Sequence, residues 1–318
     1  MFWYFCKAVF RRSQKVQMTR VKNYLSLVKF SHTIFAMPFA MIGFFLGIFS
    51  VRQWNLNSTL GWGSNVANFV FLVKFILVVL CMITARSAAM AFNRYLDKNF
   101  DAKNPRTAIR EIPTGIISAN HALIFVIFNC TAFIICTFFI NKICFFLGPI
   151  ALFVILFYSY TKRFTPLCHL VLGLGLSLAP IGAYLAVTGE FNILPVLFSF
   201  AVLFWVSGFD IIYALQDIDF DLSQNLYSIP SVLGRKKALQ VSELLHIISA
   251  SLVIAAGLIA GFGLFYWAGV AVFTGMLIYQ HSIVKPDDLR RVNLAFMTAN
   301  GIASVVFAVF VIADLFFK

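Results

Sequence analysis

A chain of 318 residues that is 61% apolar and only 12% charged is not an ordinary soluble domain, which carries about twice that share of charge. Apolar runs near 20 residues recur from end to end, long enough to cross a bilayer as helices, and the short alternating strands of a transmembrane barrel are absent. The net charge of +13 does not point to nucleic acid, because the basic residues lie between the apolar runs. The composition therefore reads as an all-α polytopic membrane protein, one domain over 1–318.

The chain opens with a basic segment, 1–22, whose apolar stretch is too short for a signal peptide; it reads as a partly amphipathic segment on the membrane surface. Nine helices follow, over about 24–50, 66–97, 116–139, 142–160, 166–187, 192–217, 237–259, 263–282 and 290–316. Pro38, Pro180, Gly173 and Gly175 inside them are ordinary in membrane helices. The six Cys form no CxxC pair and read as small apolar residues.

Lys and Arg alternate strongly between connections. The N-terminal segment and the second, fourth, sixth and eighth connections hold almost all of them, while the odd connections and the C-terminus offer only Arg52, Lys142 and Lys318. The positive-inside bias then places the N-terminus and the even connections in the cytoplasm, and an odd number of spans puts the C-terminus outside. Of the twelve acidic residues, only Glu190 and Asp314 fall near the outer face, although topology does not require that.

Two acidic clusters stand out on the inner side. In the first, Asn93, Asp97 and Asp101 are spaced four and four, so they share one helix face where the second helix leaves the membrane. Two carboxylates and an amide oxygen make a hard-oxygen site suited to magnesium. In the second, Asp210, Asp217 and Asp221 share a face, whereas Asp219 falls half a turn away and reads as solvated. Gln216 and Tyr213 flank that face as possible hydrogen-bond partners of the ligands. Asp210 lies within an apolar run, where a carboxylate is costly unless it meets a polar cavity. Asp97 to Asp217 and Asp101 to Asp221 are the same 120 residues apart, a hint of internal duplication. A diphosphate held through magnesium also needs cations, and Arg106, Arg110, Lys162 and Arg163 lie in the two connections beside the clusters. Lys29, His32 and Arg94 are lesser candidates, and His121, His169, His246 and His281 show no metal-ligand spacing.

These segments resemble the UbiA-type intramembrane prenyltransferases. NRYLDKNFD matches the family's N-x-x-x-D-x-x-x-D signature, DIIYALQDIDFD its D-x-x-Y-A-x-x-D-x-x-x-D signature, and YSYTKRFT lies between them as a Y-x-x-x-K-R-x-T stretch. KFSHTIFAMPFA and NPRTAIREIPTG also look like family segments, so the resemblance runs through nearly the whole chain in order. The pattern is most similar to 4-hydroxybenzoate polyprenyltransferases.

The resemblance implies about nine helices around a central cavity, in the inner (cytoplasmic) membrane, with the active site on the cytoplasmic side. It implies a magnesium-dependent transfer of a polyprenyl group from polyprenyl diphosphate to a small aromatic acid for ubiquinone biosynthesis. A dihydroxynaphthoate of menaquinone synthesis stays open as the acceptor. Asn93, Asp97, Asp101, Asp217 and Asp221 would hold the metal. Arg106, Arg110, Lys162, Arg163 and Tyr158 would bind diphosphate, with Asp210, Lys162 and Arg163 acting in catalysis. Chain length, oligomeric state and the base that takes the ring proton are not specified. A transporter, for which Lys74 and Arg86 inside the second span speak, and a non-catalytic prenyl-lipid binder are the readings of another class. In the transporter case Lys74 is as readily explained by its side chain snorkelling outward.

Overall fold

A computed structural model describes residues 22–28, 36–55 and 65–317, with the side chains of 52–55 and 65–67 excepted. Most of the basic N-terminal segment, together with Lys29 and His32, lies outside the described residues. Among the described residues, a short helical piece, α1 (22–27), precedes nine long helices. They are α2 (Met37–Asn55), α3 (Asn65–Leu96), α5 (Ala119–Ile140), α6 (Lys142–Thr161), α7 (Cys168–Thr188), α8 (Ile193–Ala214), α10 (Ile229–Ala260), α11 (Leu264–Ile283) and α12 (Asn300–Phe317). Two six-residue helices, α4 (Lys98–Lys103) and α9 (Ile218–Ser223), continue the chain beyond α3 and α8. Among the described residues there is no strand, only an isolated bridge between Lys285 and Asp288.

Among the described residues, seven segments are long and apolar enough to span a bilayer by length and composition, and 37–51 of α2 adds a shorter one. The nine expected helices are all found among the described residues, four with shifted starts: the ninth, expected from 290, follows the π-helical turn at Leu294–Ala299 and starts at Asn300. The first begins at Met37 rather than near 24, with Pro38 at its second position, where a missing N–H costs nothing. The third begins at Ala119 because the Ser118 hydroxyl caps the His121 N–H. The seventh begins eight residues before the expected 237, at Ile229. A Ser228–Ser231 capping box and Pro230 start it early, and the chain kinks at Gly234 (φ 74°).

α8 is the central helix. It packs on α7 and α10, and Phe198, Val202, Trp205 and Val206 along it are fully buried. A helix that is apolar all round belongs inside a bundle. Phe39, Trp205, Phe273 and Phe307 form the aromatic centre of the main core. By contrast, Phe128, Phe138, Phe139, Phe146 and Phe153 on α5 and α6 are exposed, as lipid-facing residues are.

Several polar groups inside the bundle are satisfied locally. A π-helical turn at Leu294–Ala299 frees backbone carbonyls, and Asn300 donates to those of Ala295 and Phe296 while its oxygen accepts from Trp205 and Gln280. Asp314 accepts the Gly263 and Tyr266 N–H groups at the start of α11. Lys74 does not snorkel freely: its ammonium donates to the Val187 carbonyl, and Asn141 donates to that of Leu185, so both serve the C-terminal end of α7. Lys74 is thereby accounted for without a transport role.

Candidate active site

The C-terminal ends of α3, α6 and α8 meet the N-terminal ends of α7 and α10. Cross-connections tie them: Arg163 donates to the Leu96 carbonyl, the Tyr227 N–H donates to the Lys162 carbonyl, and Lys103 reaches Gln224. Both acidic motifs lie at this end.

Each motif breaks its helix at the middle Asp. Asp97 sits at φ −90°, ψ 7° between α3 and α4, and Asp217 at φ −106°, ψ 4° between a 3₁₀ turn (Leu215–Asp217) and α9. In the first motif the Asp97 N–H still bonds the Asn93 carbonyl and the Asp101 N–H the Asp97 carbonyl, so the shared face survives the break. The Asn93 amide donates to Asp97 Oδ2 at 3.0 Å. The matching breaks extend the 120-residue parallel from sequence to backbone.

Among the described residues no three His, Cys, Asp or Glu side chains converge as a ready metal cluster. Each motif carboxylate instead takes a basic partner from another segment. Arg163 meets Asp97 at 3.0 Å, Arg110 meets both oxygens of Asp101 at 2.7 and 2.9 Å, and Lys162 meets the fully buried Asp221 at 2.7 Å. Arg106 forks onto Asp217 (3.1 and 2.5 Å) while donating to the Tyr213 hydroxyl, which ties the loop after the first motif to the second. These four cations are the ones the sequence assigned to diphosphate. Asp210 pairs with His169 at 2.7 Å. Tyr158 lies close to Asp210, Asp97, Arg110 and Arg86.

Several details differ from the expectation. Gln216 bonds the Tyr213 carbonyl rather than a motif carboxylate, and Tyr213 serves Arg106. Arg94 is buried against Glu111, so it clamps the loop. Asp219 is exposed, in keeping with its place off the shared face. Sequence reasoning missed His169 and Ser228. The latter donates to Asp221 Oδ2 at 2.9 Å while capping α10. His169 lies six residues after Arg163, and that nearness to the basic connection was the one local signal.

The electrostatics follow from burial and pairing. Burial pushes the Asp97 carboxyl up to about 6, against the pull of Arg163 and with a push from Asp101. For Lys162, burial would lower the pKa, but attraction to Asp221 outweighs it and the net direction is upward. Arg106 is raised in the same way: burial opposes the charge, and Asp217 and Tyr213 more than offset it.

The sequence profile of the UbiA prenyltransferase family matches residues 36–302. The chain belongs to the UbiA prenyltransferase family. Its relatives include proteins named 4-hydroxybenzoate octaprenyltransferase. That of Nitrosomonas europaea is 32% identical over 76% of this chain and 82% of its own length, and that of Tolumonas auensis is 28% identical over 77% and 84%. A UbiA homolog from Aeropyrum pernix K1 superposes with a TM-score of 0.72 at 28% identity, covering 90% of this chain and 97% of that one. A UbiA homolog from Archaeoglobus fulgidus, solved bound to DMAPP and Mg2+, shares the fold with a TM-score of 0.70 at 20% identity, covering 93% and 100%. This prenyltransferase is thus a multi-pass membrane enzyme, which sets aside the transporter and the non-catalytic lipid binder.

Proposed function

We propose that this prenyltransferase moves a polyprenyl group from polyprenyl diphosphate to an aromatic acid of the 4-hydroxybenzoate type, with magnesium, for quinone biosynthesis. The carrying observation is the charge pattern of the site: four motif carboxylates matched by four cations. Such a set is near neutral, and a magnesium diphosphate adds both signs together. Its hard oxygens from Asn93, Asp97, Asp101, Asp217 and Asp221 fit magnesium. With those oxygens engaged by a metal, Arg106, Arg110, Lys162 and Arg163 would be free to hold diphosphate oxygens, with Tyr158 beside them. Magnesium, when bound, offsets the charge that develops on the leaving diphosphate. The four cations do the same work from the protein side, and the surrounding helices keep water from the allylic cation.

Arg86 supports an acidic acceptor. It lies seven residues before Asn93 on the same face, about 10 Å deeper along α3. Its Nε is buried with no hydrogen-bond partner among the described residues. A buried guanidinium nitrogen without a partner is costly, and an aromatic carboxylate would satisfy it. We assign to Asp210, seven residues before Asp217, the task of taking the ring proton. The alternation of Lys and Arg supports an inner-membrane location with this end in the cytoplasm.

The test offers purified protein polyprenyl diphosphate with 4-hydroxybenzoate and a dihydroxynaphthoate in competition, with products read by mass spectrometry. Prenylated 4-hydroxybenzoate formed only with magnesium is expected. Preference for the naphthoate would move the acceptor to the menaquinone route. Consumption of neither acid would reject the reading.

A further inference from the structure

The His169–Asp210 pair lies outside the carboxylate–cation network, and it goes beyond the roles assigned so far. Asp210 occupies the apolar body of α8, and its side chain keeps 24% exposure while His169 keeps 3%. His169, second residue of α7, is held from three sides. Its backbone carbonyl accepts the Ser207 hydroxyl of α8 at 3.1 Å, its Nδ1 lies 2.7 Å from Asp210 Oδ2, and its Nε2 lies 3.4 Å from the Ile229 N–H that opens α10.

A backbone N–H can only donate, so where Nε2 accepts it the ring hydrogen sits on Nδ1, and a doubly protonated ring carries a hydrogen on Nδ1 as well. Nδ1–H therefore donates to Asp210 Oδ2. Asp210 Oδ1 has no hydrogen-bond partner among the described residues. The ring is wedged between three helices, so it sets which oxygen of Asp210 is occupied and which is open. The same corner of α10 also binds the second motif, since Ser228 donates to Asp221. One turn thus registers both Asp210 and Asp221.

We infer that His169 is a positioning residue for the transfer step: it holds Asp210 with Oδ1 turned to the acceptor ring. The inference rests on the aromatic-transfer reading above. In that step the allylic carbon–oxygen bond breaks and its electron pair leaves on the diphosphate. A π pair of the ring forms the new carbon–carbon bond. The ring proton then passes to Asp210 Oδ1, and the pair it leaves restores aromaticity. Orientation of the accepting oxygen matters because proton transfer needs hydrogen-bond reach.

A merely structural histidine would stitch α7, α8 and α10 together with no bearing on Asp210, so the test separates the two. His169→Leu removes the donor, His169→Gln keeps both a donor for Asp210 and an acceptor for Ile229, and each is also made in an Asp210→Asn background. Folded protein is confirmed by monodisperse elution in detergent. The Leu variant is expected to lose about 30-fold in kcat with the KM for prenyl diphosphate unchanged, within the range that general-base catalysis supplies. The Gln variant is expected within about 3-fold of wild type, and the Leu change is expected to cost nothing more once Asp210 is Asn. Should the Leu variant not fold, His169→Met fills the same space and is read in the same cycle.

An unchanged kcat in the donor-less variant, or an equal further loss in the Asp210→Asn background, overturns the inference. A Gln variant as impaired as the Leu variant does so too. Failure of the underlying reading looks different: wild type itself would prenylate no aromatic acid, and the inference would fall with it.

Discussion

Replacing Lys162 by Met tests the charge balance of the site most directly. Asp221 is fully buried, and its charge is met by the Lys162 ammonium at 2.7 Å and the Ser228 hydroxyl at 2.9 Å. Met keeps the length and apolar stem of Lys but leaves the carboxylate with one neutral donor. Breaking a buried pair from one side costs about 3–5 kcal/mol, and the one-third exposure of Lys162 places this case at the low end, about 3 kcal/mol. In a chain of this size that corresponds to a midpoint lowered by roughly 6 °C. Two controls follow from the same reasoning. Asp221→Asn combined with Lys162→Met removes both charges and is expected to regain most of the stability, while remaining inactive. Magnesium with an unreactive prenyl diphosphate analogue is expected to raise the Lys162→Met midpoint more than that of wild type, because the metal supplies the missing positive charge. Thermal unfolding in detergent, followed by tryptophan fluorescence, measures all of these. A single variant as stable as wild type, or a double variant no more stable than the single, would refute the argument that Lys162 neutralises Asp221.

The other expectations are shorter. Asp97→Ala and Asp217→Ala should each lower turnover at least about 1,000-fold while the protein stays folded, since each removes a metal oxygen and unpairs a cation; full activity in both would overturn the ligand assignment. Metal affinity should fall as pH drops through about 6, because Asp97 carries a proton below that value and must lose it to bind a cation; calorimetric titration with Mn2+ at pH 5 and 7.5 reads this, and equal affinities would contradict it. Arg86→Leu should raise the KM for the aromatic acid about 30-fold or more through loss of a charge-assisted pair, leaving the KM for prenyl diphosphate near wild type; an effect on the diphosphate alone would relocate Arg86. Gly173→Ala should lower stability and activity together, because a methyl group there meets the Leu203 carbonyl and Ser207 across the α7–α8 contact that sets His169 beside Asp210; a variant with the wild-type midpoint would show that the contact is looser.

Much of this protein is written in local patterns. Apolar runs longer than a bilayer's width dictate helices, because backbone groups in lipid must bond within their own segment. The spacings 93–97–101 and 210–217–221 place oxygens on shared faces through the helical period alone, and that logic also excluded Asp219. Cations near those faces were legible by type and place. What one dimension does not contain is pairing between segments. Nothing in the sequence says that Arg106 crosses to Asp217, that Lys162 rather than an arginine meets buried Asp221, or that Arg94 is spent on Glu111. Those choices depend on which helix ends the packing brings together, and contact energies between residues 17 to 111 positions apart decide them. His169 is the clearest case: a lone histidine in an apolar helix reads as core until α8 and α10 close on it. Asp210 then fills one ring nitrogen and the Ile229 N–H the other.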